Sequence, residues 1–175
     1  MNPDDLDFVA TPRSTARFLA RIAGLQSHHV VLEPSAGEGH LADLLAPECD
    51  EVVCIEIDEQ RAQKLREKGY ETYQDDFLEF AQRSVRRFDR VVMAPPFGTD
   101  GYTDHIRAAC SCCKTGGVVV SVIPDRWPQH QTSKEHEFWK WVGSSFEVAT
   151  RMAMPDEPFP TEQVTVETDI LIINV

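Results

Sequence analysis

Hydrophobic positions along the chain switch repeatedly between helical spacing and short unbroken runs. Ala16, Leu19, Ala20 and Ala23 recur at intervals of three and four, which predicts a helix from roughly Arg13 to Gly24, with the glycine as its stop. Val30-Val31-Leu32 predicts a buried strand, and Leu41, Leu44 and Leu45 a helix after it. The same alternation continues with a strand over Val52–Asp58, a helix over Glu59–Lys68 closed by Gly69, and a short strand over Glu71–Gln74. Val91-Val92-Met93 is a further apolar run, and Pro95 forces the chain out of the sheet there. A helix is expected from Asp100 to about Lys114, then a turn at Thr115-Gly116-Gly117 into a buried central strand, Val118–Pro124. Ser133 to Val142 repeats at helical spacing, its Phe138 and Trp139 reading as core. Phe146–Ala149 and Thr165–Ile173 supply the last two strands. Strands alternating with helices predict an α/β fold.

The chain's 175 residues suit one domain, 1–175, and its 42% hydrophobic and 26% charged content is that of a globular protein. No apolar run approaches the roughly 20 residues of a membrane span, so no membrane partner is expected. The acidic start, Met1-Asn2-Pro3-Asp4-Asp5, has no signal-like apolar region, and a cytoplasmic location is expected. Five cysteines, Cys49, Cys54, Cys110, Cys112 and Cys113, read as reduced structural thiols; the last three lie in an expected helix without a shared face, and no metal site is assigned. A net charge of −12 argues against a strong long-range pull on nucleic acid. Basic side chains gather at Arg13, Arg17 and Arg21, at Arg83, Arg86 and Arg87, and at Arg126 with Lys134; each group also reads as ordinary solvated side chains.

The first strand ends in Glu33-Pro34-Ser35-Ala36-Gly37-Glu38-Gly39-His40, a glycine-rich turn of the kind that opens nucleotide-binding α/β units. Gly37, Gly39 and Ala42 also fit a dinucleotide fingerprint, but Glu33 and Glu38 are poor company for a pyrophosphate. Acids there suit a cofactor with an amino group and a sulfonium. The string resembles the (Asp/Glu)-Pro-x-x-Gly-x-Gly motif of S-adenosylmethionine (SAM) methyltransferases. That resemblance implies S-adenosyl-L-methionine as cofactor, held by Glu33, Pro34, Ser35, Ala36, Gly37 and Gly39. By the same resemblance Glu56 at the tip of the second strand takes the ribose hydroxyls, and Ile57 lies against the adenine. Asp76, with Asp75 as the alternative, would accept from the adenine amine and Phe77 would pack on its ring. Asp58 and Asp76 also read simply as helix caps.

Ala94-Pro95-Pro96-Phe97 resembles the Asn/Asp/Ser-Pro-Pro-Tyr/Phe motif of SAM-dependent methyltransferases acting on amino nitrogens. The first side chain and the next carbonyl there accept from the target NH2; Ala94 has no acceptor. Phe8, Thr11 and Pro12 resemble the Phe-x-x-Thr-Pro segment that precedes the cofactor motifs in the N6-adenine group, and the resemblance counts them as cofactor-binding. Phe159, in Pro158–Val164, resembles the aromatic that sandwiches a flipped adenine against Phe97, with a packing role as the alternative. Asp104-His105 resembles a pair found after this loop in phage and plasmid adenine methyltransferases. The resemblance spans nearly the whole chain. It implies a Rossmann-like, seven-stranded, mostly parallel sheet with an antiparallel last strand, helices on both faces and no separate target-recognition domain. The expected activity is N6-adenine methylation of DNA, crippled by Ala94. Either Ala94 replaces an Asn in an otherwise intact enzyme, which the intact cofactor motifs favour, or the chain is a natural non-catalytic relative. Methylation of structured RNA with a partner subunit, a homo-oligomer, and a SAM-binding or protein-binding role without catalysis remain as alternatives.

Overall fold

The computed structural model describes residues 11–96, 101–125, 132–153, 159–160, 165–166 and 168–175; for 159–160 and 165–166 only the strand pairing is described. In chain order the elements are α1 (Arg13–Ile22), β1 (Val30–Glu33), α2 (Ala42–Leu45), β2 (Glu51–Glu56), α3 (Glu59–Glu67), β3 (Glu71–Gln74), α4 (Phe77–Arg83), β4 (Phe88–Met93), α5 (Gly101–Cys112), β5 (Cys113–Pro124), α6 (Ser133–Ser145), β6 (Ala149–Ala153), β7 (Phe159–Pro160), β8 (Thr165–Val166) and β9 (Thr168–Asn174). A short 3₁₀ turn, Ala46–Glu48, follows α2. Among the described residues no helix is long and apolar enough to cross a membrane.

Seven strands form one sheet in the order β3-β2-β1-β4-β5-β9-β6, and β7 pairs with β8 separately. Strands β1 to β5 run parallel; β9 is antiparallel to both its neighbours, so it alone is reversed. This is the expected architecture. The pleat sorts alternate residues to opposite faces. Val31, Val52, Cys54, Val92 and Val120 meet Ala16 and Leu19 of α1, Ala42 and Leu45 of α2 and Leu65 of α3. Leu32, Val53, Ile55, Val91 and Val119 meet Phe77 and Phe80 of α4, Ile106 of α5 and Phe138 of α6.

Two expectations need correction. The strand expected at Phe146–Ala149 lies instead at Ala149–Ala153. Phe146 closes α6, its amide donating to the Val142 carbonyl at 3.2 Å and its ring packing edge-on to Trp141. The turn expected at Thr115-Gly116-Gly117 is drawn into β5, which starts at Cys113. Cys113 is therefore a strand residue and not a helical one; all five cysteines are free thiols.

Two local contacts orient the elements nearest the site. Arg90, early in β4, donates from Nε to the Ala23 carbonyl at 2.9 Å. Ala94, just past the far end of β4, packs against the same core as Ala16 and Leu19. Helix α1 thus runs opposite to β4 and brings Pro12 and Arg13 towards that strand's C-terminal end. On the other face, the buried Tyr102 hydroxyl donates to Glu135 Oε1 at 2.7 Å. Glu135 Oε2 accepts from the Thr132 amide while the Thr132 hydroxyl accepts from the Glu135 amide, a reciprocal cap for α6. The starts of α5 and α6 are pinned together by this chain. Tyr102→Phe leaves a buried carboxylate oxygen short of a donor and is expected to destabilise the protein by about 1–3 kcal/mol, read from urea unfolding.

Candidate active site at the strand tips

Because β1 to β4 are parallel, their C-terminal ends open on one edge of the sheet. Register makes the level specific: Glu33 is opposite Cys54, Leu32 opposite Val91, and Glu56 opposite Gln74. Glu56 and Ala94 therefore stand about two residues beyond Glu33, and Asp76 follows directly after β3. Strand order reverses direction at β1, between β2 and β4, the crevice where open α/β sheets take ligands. Glu33, Glu56, Asp76 and Ala94-Pro95 are thus brought to one edge.

The glycine turn is held from several sides. The Ala36 amide donates to the Ile55 carbonyl at 3.0 Å and the Gly39 amide to the Ala36 carbonyl at 2.8 Å. Gly37 and Gly39 both have positive φ, 55° and 84°. A Cβ on Gly39 would stand 2.8 Å from Leu65 Cδ2, so this glycine lets α3 close onto the turn. Pro34 and Ala36 are buried and Ser35 half-buried in the same turn. Glu38 does not face the site as a free acid: its carboxylate takes Lys64 Nζ at 2.7 Å, and Lys68 Nζ reaches its carbonyl at 2.7 Å. The lysine holds the Glu38 carboxyl below its ordinary range.

Glu56 does more structural work than the sequence suggests. Its Oε2 accepts from the Gly37 amide at 2.7 Å. Its Oε1 accepts from the Asp58 amide at 2.9 Å and from Arg61 Nε and Nη2 at 3.1 and 2.9 Å. One lone pair on Oε2 remains for a ribose hydroxyl, while a grip through Oε1 requires Arg61 to withdraw. Asp58 caps α3, accepting from the Arg61 amide at 2.8 Å. Ile57 beside it is 44% exposed, an apolar side chain standing at a strand tip.

Asp75 is committed to an ion pair with Arg83. Asp76 caps α4 through Oδ1, which accepts from the Leu78 and Glu79 amides at 2.7 and 3.2 Å; Oδ2 has no partner among the described residues. Asp76 thus acts as a helix cap and keeps one carboxylate oxygen unpartnered among the described residues. Phe77 is only 4% exposed and belongs to the core, its ring centroid 5.8 Å from that of His105. His105 Nδ1 lies 2.9 Å from the Gly101 carbonyl, and burial lowers its pKa, which favours a neutral ring. Thr11 and Pro12 are half-buried ahead of α1. Ala94 and Pro96 are half-buried and Pro95 buried at the end of β4. Phe8 and Phe97 lie outside the described residues, as does the side chain of Phe159.

Glu33 is the most telling residue. It is 3% exposed, and its Oε2 has no hydrogen-bond partner among the described residues. Desolvation raises its pKa well above the ordinary carboxylate range, opposed by an amide contact from Ala42. A buried acceptor left unpaired beneath a glycine turn fits a ligand that brings a cationic donor. The half-exposed Ile57, the spare oxygen of Asp76 and the remaining lone pair of Glu56 fit an adenosine. The residues present therefore fit S-adenosyl-L-methionine.

No protein-family model and no curated protein sequence matches the chain. Solved structures do. A candidate RNA methyltransferase from Pyrococcus horikoshii is 22% identical with a TM-score of 0.74, covering 99% of this chain and 89% of its own. An rRNA methylase from Streptococcus thermophilus is 16% identical, with a TM-score of 0.61 over 95% of this chain and 98% of its own. The methyltransferase subunit of a type I restriction-modification system from the same species is 15% identical, with a TM-score of 0.75 over 94% of this chain. This chain spans 44% of that subunit's length.

The raised Glu33 pKa has a consequence for stability. Protonated Glu33 favours the native state fully below the ordinary value of 4.5, and that contribution is lost as pH rises through the raised value. Glu33→Gln has no charge to desolvate. Its stability relative to the native sequence is expected to rise from pH 4 to pH 8 in urea unfolding; a flat difference would contradict the assignment. In strand order and direction, the chain shares the Rossmann-like fold of these solved methyltransferase structures.

Proposed function

We propose that this chain is a SAM-dependent methyltransferase domain directed at the N6 amino group of adenine in DNA, its chemistry crippled by Ala94. The observation carrying the reading is the buried, unpartnered Glu33 Oε2 at the glycine turn, on the same sheet edge as Ala94-Pro95. Glu33 neutralises the ammonium, Glu56 takes a ribose hydroxyl and Asp76 accepts from the adenine amine of the cofactor. When bound, S-adenosyl-L-methionine supplies an electrophilic methyl group that an amino nitrogen takes by direct displacement. The chain's part is then mostly orientation. The Pro95 carbonyl accepts one hydrogen of the target amine, and Phe97 and Phe159 stack the flipped base. A side-chain acceptor at position 94 would take the second hydrogen, and an alanine methyl cannot.

The restriction-modification neighbours support DNA as the substrate class. Structured RNA is the second reading, favoured by one observation: the chain spans 89% of the Pyrococcus horikoshii protein against 44% of the restriction subunit. The acidic net charge of −12 is compatible with a partner subunit in either case.

Two measurements test this. Ala94→Asn restores the missing acceptor and is expected to raise labelled methyl transfer to DNA adenine about a hundred- to a thousand-fold. Transfer to RNA alone would select the second reading, and no transfer to either would overturn the proposal. Calorimetry of SAM with the native sequence is expected to show proton release, because an ammonium beside Glu33 favours the ionised carboxylate. Affinity should increase as pH rises towards the raised Glu33 pKa, and Glu33→Gln should abolish both effects.

A further inference from the structure

Charge on this protein is unevenly spent. Of the basic groups evident in the sequence, Arg83 pairs with Asp75, Arg86 with Glu51 and Glu71, and Lys134 with Asp104. Arg61, Lys64, Lys68, Lys114 and Arg151 are likewise bound to carboxylates. Among the described residues Arg66, Arg87, Arg90, Arg107 and Lys140 also have no carboxylate partner, but helix α1 carries three such arginines. Arg13, Arg17 and Arg21 are all exposed, and none has an ion pair or hydrogen bond to another side chain among the described residues. From Pro12 to Leu32 the sequence contains no Asp or Glu, in a chain with 29 acidic residues.

Their spacing sets the three arginines on one face. Positions i, i+4 and i+8 lie one above another, and Thr15, Ala16 and Leu19 bury the opposite side. The row extends about 12 Å along the helix axis at about 1.5 Å per residue. A DNA strand presents one phosphate per roughly 3.4 Å of duplex axis, so the row spans three or so consecutive phosphates. Its direction is also informative. Helix α1 runs opposite to β4, so Arg21 lies towards the start of that strand and Arg13 towards the end that carries Ala94-Pro95.

We propose that the exposed arginine face of α1 is the surface that holds the phosphodiester backbone of duplex DNA, leading one strand to the Ala94-Pro95 corner. The inference rests on the reading of the site as one for a DNA base and adds the element that positions the strand. Arginines suit this task because the guanidinium stays charged and forks onto phosphate oxygens. Such contacts place the duplex without reading its sequence. A local row of unpaired cations also answers the overall charge of −12, because screening confines the repulsion of distant acids to about a Debye length, ~8 Å at physiological salt.

The test is binding of fluorescein-labelled duplex DNA, and of RNA of the same sequence, over a salt series. The native sequence is compared with an Arg13→Gln, Arg17→Gln, Arg21→Gln variant. An Arg66→Gln, Arg87→Gln, Lys140→Gln variant removes the same charge from exposed sites elsewhere. The α1 variant is expected to lower the slope of log affinity against log salt on DNA by about 2–3, near 0.9 per phosphate contact, alike on unrelated sequences. The control variant should retain the native slope, and both should bind SAM as the native chain does. Equal loss in the two variants, or none in either, overturns the proposal. Should Ala94→Asn methylate DNA while the α1 variant keeps its slope, the surface is wrong and the reaction stands. Absence of DNA binding by the native sequence, or binding of RNA alone, overturns both.

Discussion

One carboxylate joins the elements that surround the site. Glu56, at the tip of β2, accepts from the Gly37 amide on one side and from Asp58 and Arg61 on the other. The turn after β1 and the first turn of α3 are therefore braced by the same buried group. A carboxylate so placed tolerates burial because charged and amide donors surround it, with Arg61 as counter-ion. Lys64 and Lys68 close the same turn from further along α3. The turn's shape is fixed by these contacts before any ligand is considered.

Against that braced frame, Glu33 stands out by what it lacks. Two acids lie at neighbouring strand tips, and their environments are opposite: both oxygens of Glu56 accept from donors of the fold, whereas Glu33 keeps a buried oxygen unpaired among the described residues. The difference divides the work between them. Glu56 holds the fold and has a little acceptor capacity to spare; Glu33 has capacity that the fold does not use. A residue buried at a cost and left unsatisfied is a stronger pointer to a ligand than the motif spelling around it.

Much of this was legible in the sequence because the physics was local. Apolar runs and helical spacing located β1 to β5 and the helices α2, α3 and α5, the cap reading of Asp76 pointed to α4, and Gly69 and Asp58 marked the ends of α3 through ordinary stop and cap chemistry. The acids at the strand tips followed from the strands. What escaped was set by tertiary contact. Phe146 looks like a strand residue until Trp141 claims its ring. Glu38 reads as part of the site until Lys64 binds it, and Glu56 reads as free until Arg61 does. The arginines of α1 looked no different in sequence from Arg83 and Arg86; only ion pairing separates them. The aromatic partners named from sequence, Phe8, Phe97 and Phe159, fall where side chains are not described.

The outer rim of the sheet carries its own safeguard. Among the described residues strand β6 pairs only with β9, which makes it an edge of the sheet. Met152 and the preceding Val148 are exposed there, a combination that invites strand addition. Arg151 sits mid-strand and is locked to Asp169 and Asp125. A fixed ionic cluster at that point makes accretion of a second β-ribbon expensive in desolvation, so the margin resists fibrillar growth without giving up the hydrogen bonds that complete the sheet.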